Sequence, residues 1–359
     1  MNLLKYIFKR LLNGLTVMFG VVLVIFVLFN ILPVNSARMT LGQRADTASI
    51  AAIEREFRLN LPWYERLGLY FNDLSPVSFH RLEDTNAPSY LSESDWKFTK
   101  LFSVGSVSVV VKAPYLGKSF QTRRNVSEVI SERIFPTFLL AVFAMLLASF
   151  AGIIAGVLAA IRHNTWVDDM VVTLSTLGTS QPGYVTGYIL AAIFGYYLSS
   201  YTGLGVVSQL YEYDLDGERI VWKNLILPVV ALGIRPISLI AQLTRSAMLD
   251  VLSQDYIRTA RSKGLSQRTV LFKHALRNAM NPILTSLTGW FAAVLTGAYF
   301  VEKVFSYNGL GLLTIGSILN FDFPVVMGCV LLVATIFVVM NIITDILYSL
   351  LDPRVVIKG

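Results

Sequence analysis

The chain has 359 residues, 54% hydrophobic and 15% charged, with a mean hydropathy of +0.60. That balance excludes an ordinary water-soluble domain and matches a chain with several long stretches dissolved in lipid. The formal charge of +7 does not require a nucleic-acid partner, because Lys and Arg collect beside apolar spans on the cytoplasmic side of membrane proteins.

Crossing the hydrocarbon takes about 20 apolar residues in a helix. Six segments meet this, at residues 11–32, 134–161, 170–198, 225–248, 278–301 and 323–347. They run without strict alternation, which favours helices over a barrel. The expected fold is an all-α integral membrane protein, a bundle of six transmembrane helices. Lys5, Lys9 and Arg10 precede the first span, and Arg245, Arg258, Arg261, Lys263, Arg268, Lys273 and Arg277 lie between the fourth and fifth. That bias places both termini in the cytoplasm. The basic start and the small residues Ser36 and Ala37 resemble a signal peptide, but the apolar run is too long for one, so the first helix is read as an uncleaved anchor.

Residues 33–133 are mixed polar and fall outside the cell in this topology. Residues 48–57 read as a short helix and 106–112 (SVSVVVK) alternate as a strand does. Residues 75–95, rich in Ser, Pro, Asp, Glu and Asn, read as a loop. Together they make a small extracytoplasmic domain, either a docking surface or lid for an external partner or a decoration without a transport role. Gly117, Lys118 and Ser119 supply the end of a phosphate loop, but Lys112 stands where its first glycine must be. The chain is therefore expected to bind no nucleotide itself.

In the third span, Gly178, Pro182 and Gly183 weaken helix hydrogen bonding, as Pro236 does in the fourth, giving hinges or static kinks. Arg235 stands near the middle of the fourth span, where an unpaired charge costs about 2.5–3.5 kcal/mol or more. It must face a cavity or pair with another helix or subunit. Arg235, Pro182 and Gly178 are the candidates for the substrate path.

The segment from Asp255 to Pro282 is basic, amphipathic and broken by Gly264. Tyr256, Thr259, Ala260 and Lys263 share a helical face, Gly264 is placed to end that helix, and Ser266 to cap the next. Beyond it Leu271, Phe272, Ala275, Leu276 and Ala279 form one stripe, away from Lys273 and Arg277. The reading is helix, sharp turn, helix. On these residues alone, a docking knob and a basic helix lying on anionic lipid are equally supported.

In the sixth span, Cys329 reads as a small packing residue and Asp345 carries no transport role. Gly309 and Gly311 begin a G-x-G-x-x-G that ends at Thr314, with no strand before it. His80, His163 and His274 are scattered, without Cys or carboxylate partners at ligand spacing, so no metal site is expected.

The segment at 255–282 resembles the cytoplasmic signature of ATP-binding-cassette importer permeases, Glu-Ala-Ala, three residues, Gly, nine residues, Ile-x-Leu-Pro. Arg258, Thr259 and Ala260 stand at the Glu-Ala-Ala positions, Gly264 at the glycine and Leu276 at the leucine, while His274 and Arg277 replace the isoleucine and proline. TARxKG followed by HALRNA looks like the dipeptide/oligopeptide permease version. Lys9 and Arg10 with Pro33, residues 116–120 (LGKSF), Glu132-Arg133, Pro136-Thr137, NGLG at 308–311, FPVV at 323–326 and LDPR at 351–354 are similar to that family in the same order. Residues 76–113 look inserted.

The resemblance implies a type I ABC importer permease in the inner membrane, with a small extracytoplasmic insertion between helices 1 and 2. Its divisions would be 1–32, 33–133, a permease core at 134–350 with coupling helices at 250–278, and a tail at 351–359. It implies a second homologous permease subunit, two ATPase subunits that bind the ATP, an extracytoplasmic solute-binding protein, and a di- or oligopeptide substrate. Nickel complexes or glutathione are the alternative cargo, and a secondary transporter the alternative mechanism. Tyr256, Arg258, Thr259, Ala260, Arg261, Lys263, Gly264 and Leu265 would contact the ATPase.

Overall fold

The computed structural model describes residues 3–31, 51, 54–92, 96–214 and 217–351. Helix α1 (Leu3–Ile31) leads to a short α2 (Trp63–Leu74) and three strands, β1 (Val77–His80), β2 (Phe98–Val104) and β3 (Val107–Lys112). Then follow α3 (Val126–Ile161), α4 (Trp166–Ser180), α5 (Gly183–Leu190), a π-helical stretch at Ala191–Tyr197, and α6 (Ser199–Thr202). The hairpin β4 (Tyr211–Asp214) and β5 (Gly217–Ile220) precedes α7 (Ile226–Leu252) and α8 (Asp255–Ser262). A second π-helical stretch, Thr269–Leu276, runs into α9 (Arg277–Val304), followed by α10 (Leu310–Leu319) and α11 (Phe323–Leu351).

Among the described residues, four helices are long and apolar enough to cross a membrane: Arg10–Phe29, Val126–Ile161, Trp222–Leu252 and Phe323–Thr344. A pair bent by 45°, Thr269–Leu284 with Gly289–Val304, passes the same test when taken together, as a broken span or a re-entrant loop. The segment expected as one span at 170–198 is instead interrupted. Gln181 is extended, with ψ 132°, between α4 and α5. The residue before a proline is driven out of the α region, and Pro182 has no N–H to continue the ladder.

The chain forms two compact units, one of residues 1–14, 134–313 and 335–359, the other of residues 15–133 and 314–334. In the first, Leu140, Ala141, Ala144 and Met145 of α3 pack with Leu227, Ala231 and Leu232 of α7 and with Val294, Leu295, Ala298 and Val301 of α9. Gly152 and Gly156 let α3 lie against α7: a Cβ on Gly152 would stand 2.8 Å from the Ile237 carbonyl oxygen. Small residues serve helix contacts in lipid because close approach, not water exclusion, supplies the attraction there.

In the second unit, the ring of Phe71 on α2 stacks on Phe19 of α1 with centroids 4.9 Å apart. The strands pair antiparallel in the order β1-β3-β2. The strand expected at 106–112 is β3, and the loop expected at 75–95 contains β1. Its pattern escaped hydropathy because the inward residues are polar. Ser78 and His80 are buried while Val77 and Phe79 are exposed, and His80 is held by the Ser89 carbonyl at 2.9 Å and the Ser78 hydroxyl at 3.0 Å. Of the helix expected at 48–57, residues 54–56 are helical and 48–50, 52 and 53 lie outside the described residues.

Candidate functional site

The basic segment between α7 and α9 folds as two helical pieces about a turn. The turn follows from hydrogen-bond closure. Leu265 N–H donates to the Ala260 carbonyl at 3.4 Å and Gly264 N–H to the Arg261 carbonyl at 3.0 Å, which satisfies the last carbonyls of α8 by the Schellman pattern. That pattern needs a left-handed residue after the helix, and Gly264 has φ +75°. Ser266 then opens the next piece, accepting from the Thr269 N–H at 3.3 Å.

The knob sits on an apolar seat. Ile257 and Ala260 of α8 and Val270, Leu271 and Ala275 beyond the turn are buried with Val157 and Ala160 of α3, Ala247 and Met248 of α7, and Ala279 of α9. The stripe expected after the turn is partly corrected, since Val270 is buried and Phe272 is 59% exposed. The winding from Thr269 to Leu276 is π-helical, so positions four and five apart, Leu271 and Val270 with Ala275, share a face instead of positions three and four apart.

Of the eight residues expected to meet a partner, Tyr256, Arg258, Thr259, Arg261, Lys263, Gly264 and Leu265 are exposed. Ala260 is not. It lies under α8 in the apolar seat, because it falls one turn from Ile257. Arg258 stands 3.6 Å from Asp255, but both side chains are largely exposed, so the pair holds Arg258 weakly. Asn278 donates to the Tyr256 hydroxyl at 3.2 Å, tying α8 to α9.

Beside the knob, Arg245 of α7 grips Asp168 at the start of α4 through Nε at 2.5 Å and Nη2 at 2.8 Å. His163 Nδ1 lies 2.8 Å from the same carboxylate and the Asn164 N–H donates to it at 3.1 Å. The guanidinium of Arg245 holds the Asp168 carboxyl well below the usual carboxylate range, with His163 and the Asn164 amide adding to it. His163, read from the sequence as lacking a carboxylate partner, thus has one. Asp168 already carries Arg245, so the trio is an ion-paired staple of the α3–α4 turn to α7.

The path candidates separate. Gly178 packs on α7 against Ser238 and Ile234, with no room for a side chain, so it is a helix-contact residue. Pro182 is exposed at the break between α4 and α5. Arg235 is exposed within α7, and its side chain has no hydrogen bond or ion pair to any described residue.

Two carboxylates escaped the sequence reading. Glu302, fully buried in α9, accepts from the Thr137 hydroxyl at 2.6 Å and from the N–H groups of Gly311 and Leu312 at 2.7 and 3.1 Å. Asp322 accepts from the Ser119 hydroxyl at 2.5 Å and the Phe120 N–H at 2.9 Å. Their partners lie in Pro136-Thr137, NGLG and LGKSF, so the signal available was the co-occurrence of those motifs.

Residues 152–357 match the family described as binding-protein-dependent transport system inner membrane component, and residues 3–90 match its N-terminal membrane component family. The chain belongs to this family of transport permeases. It is similar to the dipeptide transport system permease protein of Alkalihalophilus pseudofirmus, 33% identical over 98% of this chain and 99% of the relative. The glutathione transport system permease protein of Salmonella paratyphi A is also 33% identical, over the same shares. The methionine ABC transporter MetNI in its inward-facing form shares the fold, with a TM-score of 0.52 at 14% identity, covering 63% of this chain and 97% of that one. The chain is thus an inner-membrane permease with the type I ABC importer fold. Residues 76–90, read as part of an insertion, fall inside the N-terminal family match.

Proposed function

We propose that this permease carries di- or oligopeptides inward across the cytoplasmic membrane, driven by ATP hydrolysed on separate subunits. The observation that carries the coupling half of this reading is the exposed turn at Gly264, closed by its own backbone bonds on a buried apolar seat. A rigid protrusion with Tyr256, Leu265 and Phe272 exposed beside Arg258, Arg261 and Lys263 fits an apolar cleft with an acidic rim. Motion of that cleft then reaches α3, α7 and α9 through the seat, moving the bundle between inward- and outward-open forms.

In this reading both termini and the knob are cytoplasmic, and the divisions at 32, 133 and 350 separate anchor, outer segment, core and tail. The assembly contains a second homologous permease, two ATPase subunits and an external solute-binding protein. This subunit binds no nucleotide. The cargo class rests on relatives named for dipeptide and glutathione transport, compounds that share peptide bonds and free carboxylates. Vesicles containing the whole complex should accumulate labelled di- to hexapeptides with ATP and binding protein, and not without either. Accumulation of a different solute class, with peptides ignored, would replace the cargo assignment and leave the permease assignment standing.

A further inference from the structure

We propose that Arg235 is a specificity-determining residue of the transport path, a fixed cation that receives the free carboxylate of the cargo and so selects anionic over amidated peptides. The inference rests on the peptide reading above.

The position of the charge is the first observation. Arg235 lies 13 residues from Trp222 and 17 from Leu252, the ends of its apolar helix, so it stands near the middle of the span. An arginine there cannot face lipid without a large penalty and must look into water or onto a counter-charge.

The second observation is the face that Arg235 shares. At 100° per residue, α7 divides into sides. Ile234 and Ser238 meet Gly178 of α4, Ile237 and Ile240 meet Gly152 of α3, and Leu232 meets Gly297 of α9. The remaining direction, between the α4 and α9 sides, holds Arg235, Gln242 and Ser246 at spacings of seven and four. Arg235 and Ser246 are exposed and Gln242 half-buried, and none of the three side chains has a hydrogen-bonding partner among the described residues. An amide and a hydroxyl leading away from the charge toward the knob end make a track that tolerates water.

The third observation is chemical. A planar guanidinium binds carboxylates in two-point geometry. Among the described residues no carboxylate pairs with it, and the two most buried ones in its unit are taken, Glu302 by Thr137 and two backbone N–H groups and Asp168 by Arg245. A cargo that carries its own carboxylate supplies the missing charge during passage, and its departure leaves the site open again.

The test uses the complete transporter in vesicles, with a labelled dipeptide and its C-terminal amide each presented on preloaded binding protein, so that capture is not what is compared. The wild type should move the free acid at least about tenfold faster than the amide. Arg235→Gln should erase that preference by slowing the free acid alone, and Arg235→Lys should restore much of it. Equal transport of both forms by the wild type overturns the proposal, as does a parallel loss of both forms in the Gln and Lys variants. Complexes that fail to assemble when Arg235 becomes Gln, and assemble again with Lys, overturn it in favour of a counter-charge on another subunit. Failure of the wild type to move either peptide while binding protein still stimulates its ATPase would remove the peptide reading itself.

Discussion

Thr137 on α3 and Glu302 on α9, 165 residues apart in sequence, are joined by a buried hydrogen bond of 2.6 Å. The same hydroxyl accepts from the Leu310 N–H at 2.7 Å, and Glu302 accepts from Gly311 and Leu312, so two side chains fasten the start of α10. Carboxylates at a helix start are favoured by the exposed N–H groups and the helix dipole.

Thr137→Val keeps the shape and removes both bonds of the hydroxyl. It should lower stability by about 1–3 kcal/mol, since a buried donor and a buried carboxylate oxygen lose a partner. Thermal unfolding of the purified complex in detergent should show the loss, with Thr137→Ser close to the wild type. A Val variant that melts with the wild type would show that the hydroxyl is replaceable there.

Gly264→Val should leave the bundle folded and uncouple it. A β-branched residue at φ +75° is strained by about 1–2 kcal/mol, which opens the turn and not the apolar seat below it. The measurement is ATP hydrolysis stimulated by binding protein in the reconstituted complex, expected to fall toward the basal rate. Unchanged stimulation counts against the docking role of the knob.

Reversing Arg258, Arg261 and Lys263 together to Glu should weaken attachment of the ATPase subunits about tenfold or more, because exposed charges on a rim act on encounter and register. Raising the salt concentration should weaken the wild type and have less effect on the variant. Co-purification of the ATPase subunits across a salt series measures both.

The Asp168–Arg245 pair gives a pH dependence of defined sign. A carboxyl held below its ordinary value contributes stability that is fully present above the unfolded value, about 4, and is lost as pH falls through the lower folded value. Thermal unfolding of the wild type should therefore lose this contribution only below about pH 4. In Arg245→Gln the carboxylate stays buried without its cation, so the melting temperature at neutral pH should fall by roughly 5 °C or more. That deficit should narrow in acid, where protonation relieves the buried charge; an unchanged melting temperature at neutral pH would deny the pair its role.

Much of the site was legible in local order. Gly264, Ser266 and the basic residues around them can be placed by helix-ending and capping rules that act over three to five residues, and the turn uses them so. α-Helical spacing puts Phe272 on the apolar stripe, whereas the wider winding at Thr269–Leu276 turns it outward. Ala260 shares its sequence neighbourhood with the exposed residues, and only its packing with Val157 and Met248 takes it out of reach.

The sequence by itself determined that this chain crosses a membrane several times, that its α7–α9 connection is a basic knob turning on glycine, and that its motifs are those of a permease. The first two follow from hydropathy, caps and short spacings, which are properties of neighbours along the chain; the third rests on the resemblance of those motifs to a known family. Tertiary structure alone decided that Glu302 and Asp322 fasten segments more than a hundred residues away, that Asp168 is claimed by Arg245, and that the Arg235 side chain has no partner among the described residues. A buried carboxylate looks the same in sequence whether paired or free, since the groups that neutralise it are brought to it by packing and not by order.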